Sequence, residues 1–267
     1  MPDQTKYTTK LHNTRILIIG GTSGIGYGVA EACVENGANV VIASSNPTRI
    51  TTAVDKLKAA YPSKTSSISG VPVDLGNRDT LENEIDQLFK TTIEKIGGSD
   101  AKLDHVIYTA GDALAVIKIE DMTLDAILQA GQIRFFAPLL IAKYVQRHVV
   151  VSPKSSYTIT TGAVSERPVP NWSIPGSFAG GNHSMVRNLA LDLKPVRVNG
   201  VSPGAVDTEL WKIGEEEKKG MFKYLEGKMP TGRVGRVEDV AESYLGILKD
   251  ENMDGSVVRS DGGQLIV

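Results

Sequence analysis

Three glycines, Gly20, Gly24 and Gly26, stand in the stretch RILIIGGTSGIGYGVAEACVENGA, between an apolar β-branched run and a helical pattern. At this spacing glycines do what a side chain would prevent. Gly20 permits a tight exit from a strand, Gly24 lets the backbone approach a pyrophosphate, and Gly26 lets a helix pack close to a sheet. The N-terminus of that helix then offers unpaired N–H groups and a positive dipole end to phosphates. With Thr22, Ser23 and Ile25 completing the turn, the loop predicts a dinucleotide cradle. A mere tight turn would not need three glycines at these positions.

A second patch of chemistry closes the next β-rich run: Ala43-Ser44-Ser45-Asn46-Pro47-Thr48-Arg49. A site for NAD usually places a carboxylate there to accept hydrogen bonds from the ribose 2′-OH, and that carboxylate would repel a 2′-phosphate. None is present. Ser44, Ser45, Asn46 and Arg49 are compatible with a phosphate, so NADP(H) is the expected cofactor. The same serines and Asn46 also suit a turn and a helix cap. Both roles can hold at once.

The elements that must position these groups follow from the hydrophobic pattern. Strands are expected at 15–20, 39–44, 67–75, 105–110, 156–161, 196–204 and 255–263, each apolar or β-branched and bounded by turn residues. Continuous apolar character suits strands covered on both faces. Helical patterns lie near 25–36, 47–61, 79–96, 121–147, 178–193 and 237–249. The alternation predicts right-handed βαβ units in an α/β fold: one Rossmann-like, doubly wound parallel sheet flanked by helices, spanning 1–267 as a single domain. GEEEKKG, at 214–220, reads as a solvated charge run in a mobile loop or short helix.

Bulk composition excludes several function classes. A formal net charge of -2 with no basic stripe argues against a nucleic-acid partner. No apolar run reaches the roughly 20 residues needed to cross a bilayer, and the polar start is no secretory signal. No membrane partner is therefore expected, and a cytoplasmic setting is. The one cysteine, Cys33, and four scattered histidines give no metal-ligand spacing, so no metal site is expected.

The G-x3-G-x-G spacing differs from the commoner G-x-G-x-x-G and resembles that of the short-chain dehydrogenase/reductase superfamily. The resemblance spans nearly the whole chain. Val73-Asp74-Leu75 matches the strand-end segment whose Asp contacts adenine. Tyr108-Thr109-Ala110-Gly111 stands where the family has Asn-Asn-Ala-Gly. Pro203-Gly204, with Val206 and Thr208, matches the segment that holds the nicotinamide amide, and GRVEDVA with Asp261-Gly262-Gly263 matches the C-terminal pattern. The resemblance implies that Asp74, Leu75, Ala110, Gly111, Pro203, Gly204, Val206 and Thr208 bind cofactor. It also implies a small-molecule substrate and a homo-oligomer, dimer or tetramer.

Family reductases surround the nicotinamide with a Ser, a Tyr-x3-Lys pair and an Asn. Matched motif by motif, these positions fall on Thr161, Phe178, Asn182 and Gln132. The resemblance thus places no acid and no tuning cation where the family has them. Hydride addition to a neutral ketone makes an alkoxide and needs a proton donor; hydride addition to an iminium makes a neutral amine and needs none.

A narrower resemblance rests on SSNPT, IRFFAP (133–138) and Pro168-Val169-Pro170-Asn171-Trp172. These look like fungal enzymes of indole-alkaloid biosynthesis, the bifunctional reductase/Diels–Alderases of malbrancheamide and paraherquamide type. Such proteins reduce an iminium with NADPH and then guide an intramolecular [4+2] cycloaddition. Arg134 and Trp172 carry over from that group, whereas Val169 stands where the group has an Asp. Trp172 could stack on an aromatic or polycyclic substrate, and Arg134 could bind a ligand or pair with an acid. Glu166 and His183 could supply a replacement acid for ordinary carbonyl reduction. A redox-neutral cyclase and a non-catalytic NADP(H)-binding protein also remain open. The roof of the pocket is expected from segments 164–176 and 209–229.

Overall fold

The computed structural model describes residues 3–211 and 214–267. Seven strands form one sheet: β1 (Arg15–Ile19), β2 (Asn39–Ser44), β3 (Ile68–Pro72), β4 (His105–Tyr108), β5 (Ser156–Thr160), β6 (Arg197–Pro203) and β7 (Val257–Ser260). Every pairing is parallel, in the order β3-β2-β1-β4-β5-β6-β7. The order reverses between β1 and β4, where an open α/β sheet leaves a crevice at the strands' carboxyl ends.

Helices cover both faces, as the uninterrupted apolar strands require. On one side lie α1 (Gly24–Glu35), α2 (Pro47–Ala60) and α8 (Val237–Lys249). Cys33, Leu57 and Leu248 there pack against Ile16 and Ile18 of β1. On the other lie α3 (Leu81–Ile96), α4 (Leu124–Gly131), α5 (Ala137–His148) and α6 (Ser173–Asp192). Phe89, Ile141 and Val186 there pack against Leu17 and Ile19. Successive β1 residues thus supply opposite cores, as a period of two dictates. A seventh helix in chain order, α7 (Glu215–Glu226), is exposed along its acidic start and buries none of its residues.

Two expectations change. The run 121–147 is α4, a π-turn over Gln132–Phe136, and α5. Together Leu124–His148 forms 25 helical residues, with mean hydropathy 1.3 over its most apolar 18, long and apolar enough to cross a membrane by length and composition. Asp125, Gln132 and Arg134 interrupt the apolar run without interrupting the helix, which the pattern at 121–147 predicts. Its inner face, including Ala137, Ile141 and Val145, lies in the sheet core. Second, α6 starts at Ser173, five residues before the pattern predicts, because Pro175 sits in the first turn where no N–H is needed. Segment 164–176 is therefore partly helical. The charged run falls in a helix of 12 residues, α7, the second of the two alternatives expected for it. Residues 212 and 213, part of the expected roof at 209–229, lie outside the described residues.

Candidate active site

The glycine loop follows β1 directly. Gly20 has φ +95° and Gly24 φ +49°, both in the region that disfavours a side chain. A Cβ on Gly20 would strike the Ala110 backbone, and one on Gly26 would strike Gly20 O and Thr109 Oγ1. Thr109 also donates from Oγ1 to Ile19 O (3.1 Å), tying the end of β4 to the loop. Ser23 precedes α1 without a side-chain cap, and no acidic residue stands in the first turn. The leading N–H groups of α1 are thus left for a ligand, beside exposed Ser23 and half-buried Thr22 and Ile25.

At the end of β2, Asn46 Oδ1 accepts from Arg49 N (3.0 Å), which makes it the cap of α2. Asn46 therefore serves the helix, while Ser45 and Arg49 stay exposed and Ser44 half-buried. Arg49 makes no ion pair with the described residues. After β3, Asp74 Oδ1 accepts from Gly76 N (2.9 Å), and Glu84 Oε2 accepts from Asp74 N (3.1 Å). Leu75 is buried and its carbonyl accepts from Gln132 Nε2 (3.2 Å). Past β6, a Cβ on Gly204 would fall 2.8 Å from Asp261 Cα, Val206 O accepts from Trp211 Nε1 (2.7 Å), and Thr208 lies over Gly24. All these groups gather at the carboxyl end of the sheet, where the strand order reverses. Free helix N–H groups, a close-approach glycine and an unpaired Arg49 fit a phosphorylated dinucleotide.

The π-turn builds the other end of the crevice. Such a turn takes carbonyls out of the regular helical ladder. Two of them find side chains: Tyr108 Oη donates to Ile133 O, and Asn182 Nδ2 donates to Arg134 O (3.1 Å). Asn182 is buried, and its Oδ1 has no partner. Burial raises the Tyr108 phenol well above its ordinary value, so it is a fixed donor.

The same turn aims Arg134 at the loop after β4. Arg134 Nε donates to Asp112 Oδ1 (3.1 Å), and a second guanidinium nitrogen donates to Asp112 O. The guanidinium lies on Gly111, where a Cβ would sit 3.0 Å from three of its atoms. Burial pulls the Arg134 pKa down and Asp112 opposes that shift. Pairing with an acid is thus one role that Arg134 fills; its remaining N–H groups are free for a ligand.

Phe178 joins an aromatic wall. Its ring centroid lies 5.3 Å from that of Phe135 and 6.0 Å from that of Phe136. Its Cζ sits 2.7 Å from where a Cβ on Gly131 would be, so the tip of the ring is already in contact. Thr161 donates from Oγ1 to Ala179 O (2.8 Å), which engages its proton within the protein. Trp172 caps α6 in a half-buried loop, and Asn171 O accepts from Ile117 N (3.1 Å), joining that loop to the chain after β4.

Neither substitute acid is poised to give a proton. Glu166 is held below its ordinary pKa by its hydrogen bonds with Arg259 and remains a carboxylate. Burial lowers the His183 pKa, favouring the neutral ring, and its Nε2 meets Ser165 Oγ (3.1 Å). The structure thus links Gln132, Arg134, Phe178, Asn182 and Thr161 through one turn and the helix it touches, with Trp172 set apart in its loop. Sequence reasoning missed Asp112, Phe135 and Phe136 as parts of this arrangement. The signal was there: a carboxylate directly after Ala110-Gly111, and two aromatics after Arg134.

Comparison with known proteins adds four findings. The family model described as an SDR-like Rossmann domain matches residues 7–267. The short-chain dehydrogenase/reductase fsr5 of Gibberella fujikuroi is 47% identical over 264 residues, covering 98% of each chain. The solved structure of the MalC reductase/Diels-Alderase from Malbranchea aurantiaca superposes with a TM-score of 0.90 at 37% identity, covering 98% of this chain and 100% of that one. A small-chain dehydrogenase solved in complex with NADPH is 26% identical with a TM-score of 0.77, covering 96% of this chain and 100% of that one.

Proposed function

This chain belongs to the short-chain dehydrogenase/reductase family, and on that premise we propose that it is an NADP(H)-dependent reductase of an imine or iminium, coupled to intramolecular [4+2] cyclisation of an aromatic or polycyclic substrate. NADPH supplies the hydride. The uncapped start of α1, with Gly20, Gly24 and Gly26, would hold its pyrophosphate, and Ser44, Ser45 and Arg49 its 2′-phosphate. The NADPH complex of the 26% identical dehydrogenase supports that assignment.

One observation carries the reaction class. At the place where the family's proton donor is expected stands Phe178, packed tip-first against Gly131 beside Phe135 and Phe136. Its neighbours offer no substitute: Asn182 is spent on the π-turn, Thr161 on Ala179 O, Glu166 on Arg259. A ketone would leave an alkoxide with no acid to quench it, whereas an iminium would not need one. The aromatic wall excludes water and presents an apolar surface to a flat substrate, while Arg134, fixed by Asp112, can orient a polar acceptor on it.

The likeness to a protein named as a reductase/Diels-Alderase supports the cyclisation half. Holding a flexible substrate in a reactive conformer asks of the protein only shape and orientation. Exposed Leu139 on α5 and Leu191 on α6 give apolar surface for a homo-oligomer. The test is stoichiometry with a cyclic iminium substrate: one NADPH consumed per product supports the reductase. Product formed with no nicotinamide turnover replaces it with a redox-neutral cyclase.

A further inference from the structure

The phosphate cradle holds one feature that works against its ligand. Gly24 heads α1 with φ +49°, at the helix end that the glycine loop offers to an anion. A Cβ added to Gly24 would lie 3.2 Å from Thr208 Cγ2, 3.3 Å from Thr208 Cβ and 3.5 Å from Glu209 Oε2. A carboxylate therefore stands over the positive end of the helix, where a negative charge is favoured.

The neighbouring acid differs. Asp207 is neutralised by Lys218 of α7, Nζ to Oδ1 2.6 Å. Glu209 makes no ion pair with the described residues. It is exposed, and beside it lies a cavity of about 520 Å³, lined also by Tyr27, Glu31, Lys56, Lys218 and Glu242. The side chain thus has open volume into which it can turn without disturbing the fold.

We propose that Glu209 is an affinity-setting residue of the phosphate cradle: its carboxylate occupies the approach to Gly24 and repels the cofactor's pyrophosphate until the side chain turns aside. The inference rests on the NADP(H) reading and adds to it a residue that weakens binding. Its physical content is a competition between two anions for one helix terminus, which keeps nucleotide affinity below what the glycine loop alone would give.

The test compares the full-length protein with Glu209→Gln, which keeps size and polarity and removes the charge. NADPH affinity is measured by nucleotide fluorescence at low and high salt. The variant is expected to bind NADPH about three- to tenfold more tightly at low salt, from one like-charge contact with a dianionic group at a helix end, with the gain shrinking as salt rises. Adenosine 2′-monophosphate, which has no pyrophosphate, should bind both proteins equally. Glu242→Gln, a carboxylate on the same cavity further along α8, should leave NADPH affinity unchanged. Equal or weaker NADPH binding by Glu209→Gln overturns the proposal while leaving the cofactor assignment intact. So does an equal gain from Glu242→Gln or for adenosine 2′-monophosphate, since either would report net charge alone. Failure of both proteins to bind any nicotinamide nucleotide overturns the cofactor reading itself, and the role of Glu209 with it.

Discussion

Replacing Phe178 by Tyr restores the residue type that family reductases use, and the structure says it should not restore their chemistry. The new hydroxyl attaches at Cζ, the atom that already lies against Gly131, with Phe136 edge-on 6.0 Å away between centroids. The contacts at that tip are with Gly131 and the neighbouring phenylalanine rings. A buried hydroxyl without a partner costs about 1–3 kcal/mol, and because Phe178 is only half-buried the lower part, about 1–2 kcal/mol, applies. For a chain of this size that corresponds to a fall in Tm of about 2–8 °C. The second obstacle is electronic: Asn182 carries no charge and is committed to Arg134 O, so position 182 supplies no cation to lower the phenol pKa. Thermal unfolding followed by circular dichroism, together with NADPH oxidation in the presence of simple cyclic ketones, reads both effects. The expected result is a destabilised protein that gains no ketone reduction. An unchanged Tm with new ketone reductase activity would refute the reasoning, because the phenol would then point into an open, polar cleft.

Three further outcomes follow from other parts of the molecule. Arg49→Ala should weaken NADPH binding about three- to tenfold and leave NADH unchanged, since an exposed charge-assisted contact to a 2′-phosphate is all that is removed; equal losses for both nucleotides in a titration would sink the 2′-phosphate assignment. Asp112→Ala should lower stability to urea by about 1–2 kcal/mol, discounted because both partners are about a quarter to a third exposed, at 26% and 32%. Asp112→Asn, which keeps an acceptor for Arg134 Nε, should lose less. His105 is fully buried, with its pKa lowered to about 4 by burial, and its Nδ1 meets Ser156 Oγ at 2.9 Å. The unfolded chain takes up this proton near pH 6.5, so the stabilisation is complete above that pH and is lost as pH falls from 6.5 towards 4. Between pH 7 and pH 5 urea denaturation should show a loss of about 2 kcal/mol from this group, and His105→Asn should flatten that part of the profile.

The fold was legible in the sequence because its signals are local and redundant. Each strand is an apolar run with turn residues beside it, and the Gly20-Gly24-Gly26 spacing pins the first βα unit. The crossover rules leave only a few sheet orders once the strands are known, and the structure shows which one the chain takes. The start of α6 was misjudged because Pro175-Gly176 reads as a break, yet a proline in a first helical turn forfeits no bond. The candidate site was only half legible. Positions such as Phe178 and Asn182 could be matched to a motif, but what they touch could not. Asn182 turns out to serve a π-turn carbonyl, Thr161 a helix carbonyl and Gln132 the carbonyl of Leu75, and such tertiary partners leave no mark at fixed sequence spacing. Glu209 is invisible in the same way, since its meaning depends on 184 intervening residues folding back to Gly24.

The central claim is that this protein delivers hydride from NADPH to a substrate that needs no proton from residue 178. The most direct measurement is the rate of NADPH oxidation by the wild-type protein with a cyclic iminium and with the ketone of matching shape, across the neutral pH range. The account predicts turnover of the iminium, little or none of the ketone, and a pH profile without the ionisation of a catalytic phenol. Comparable turnover of the ketone, or nucleotide oxidised with neither, would contradict it.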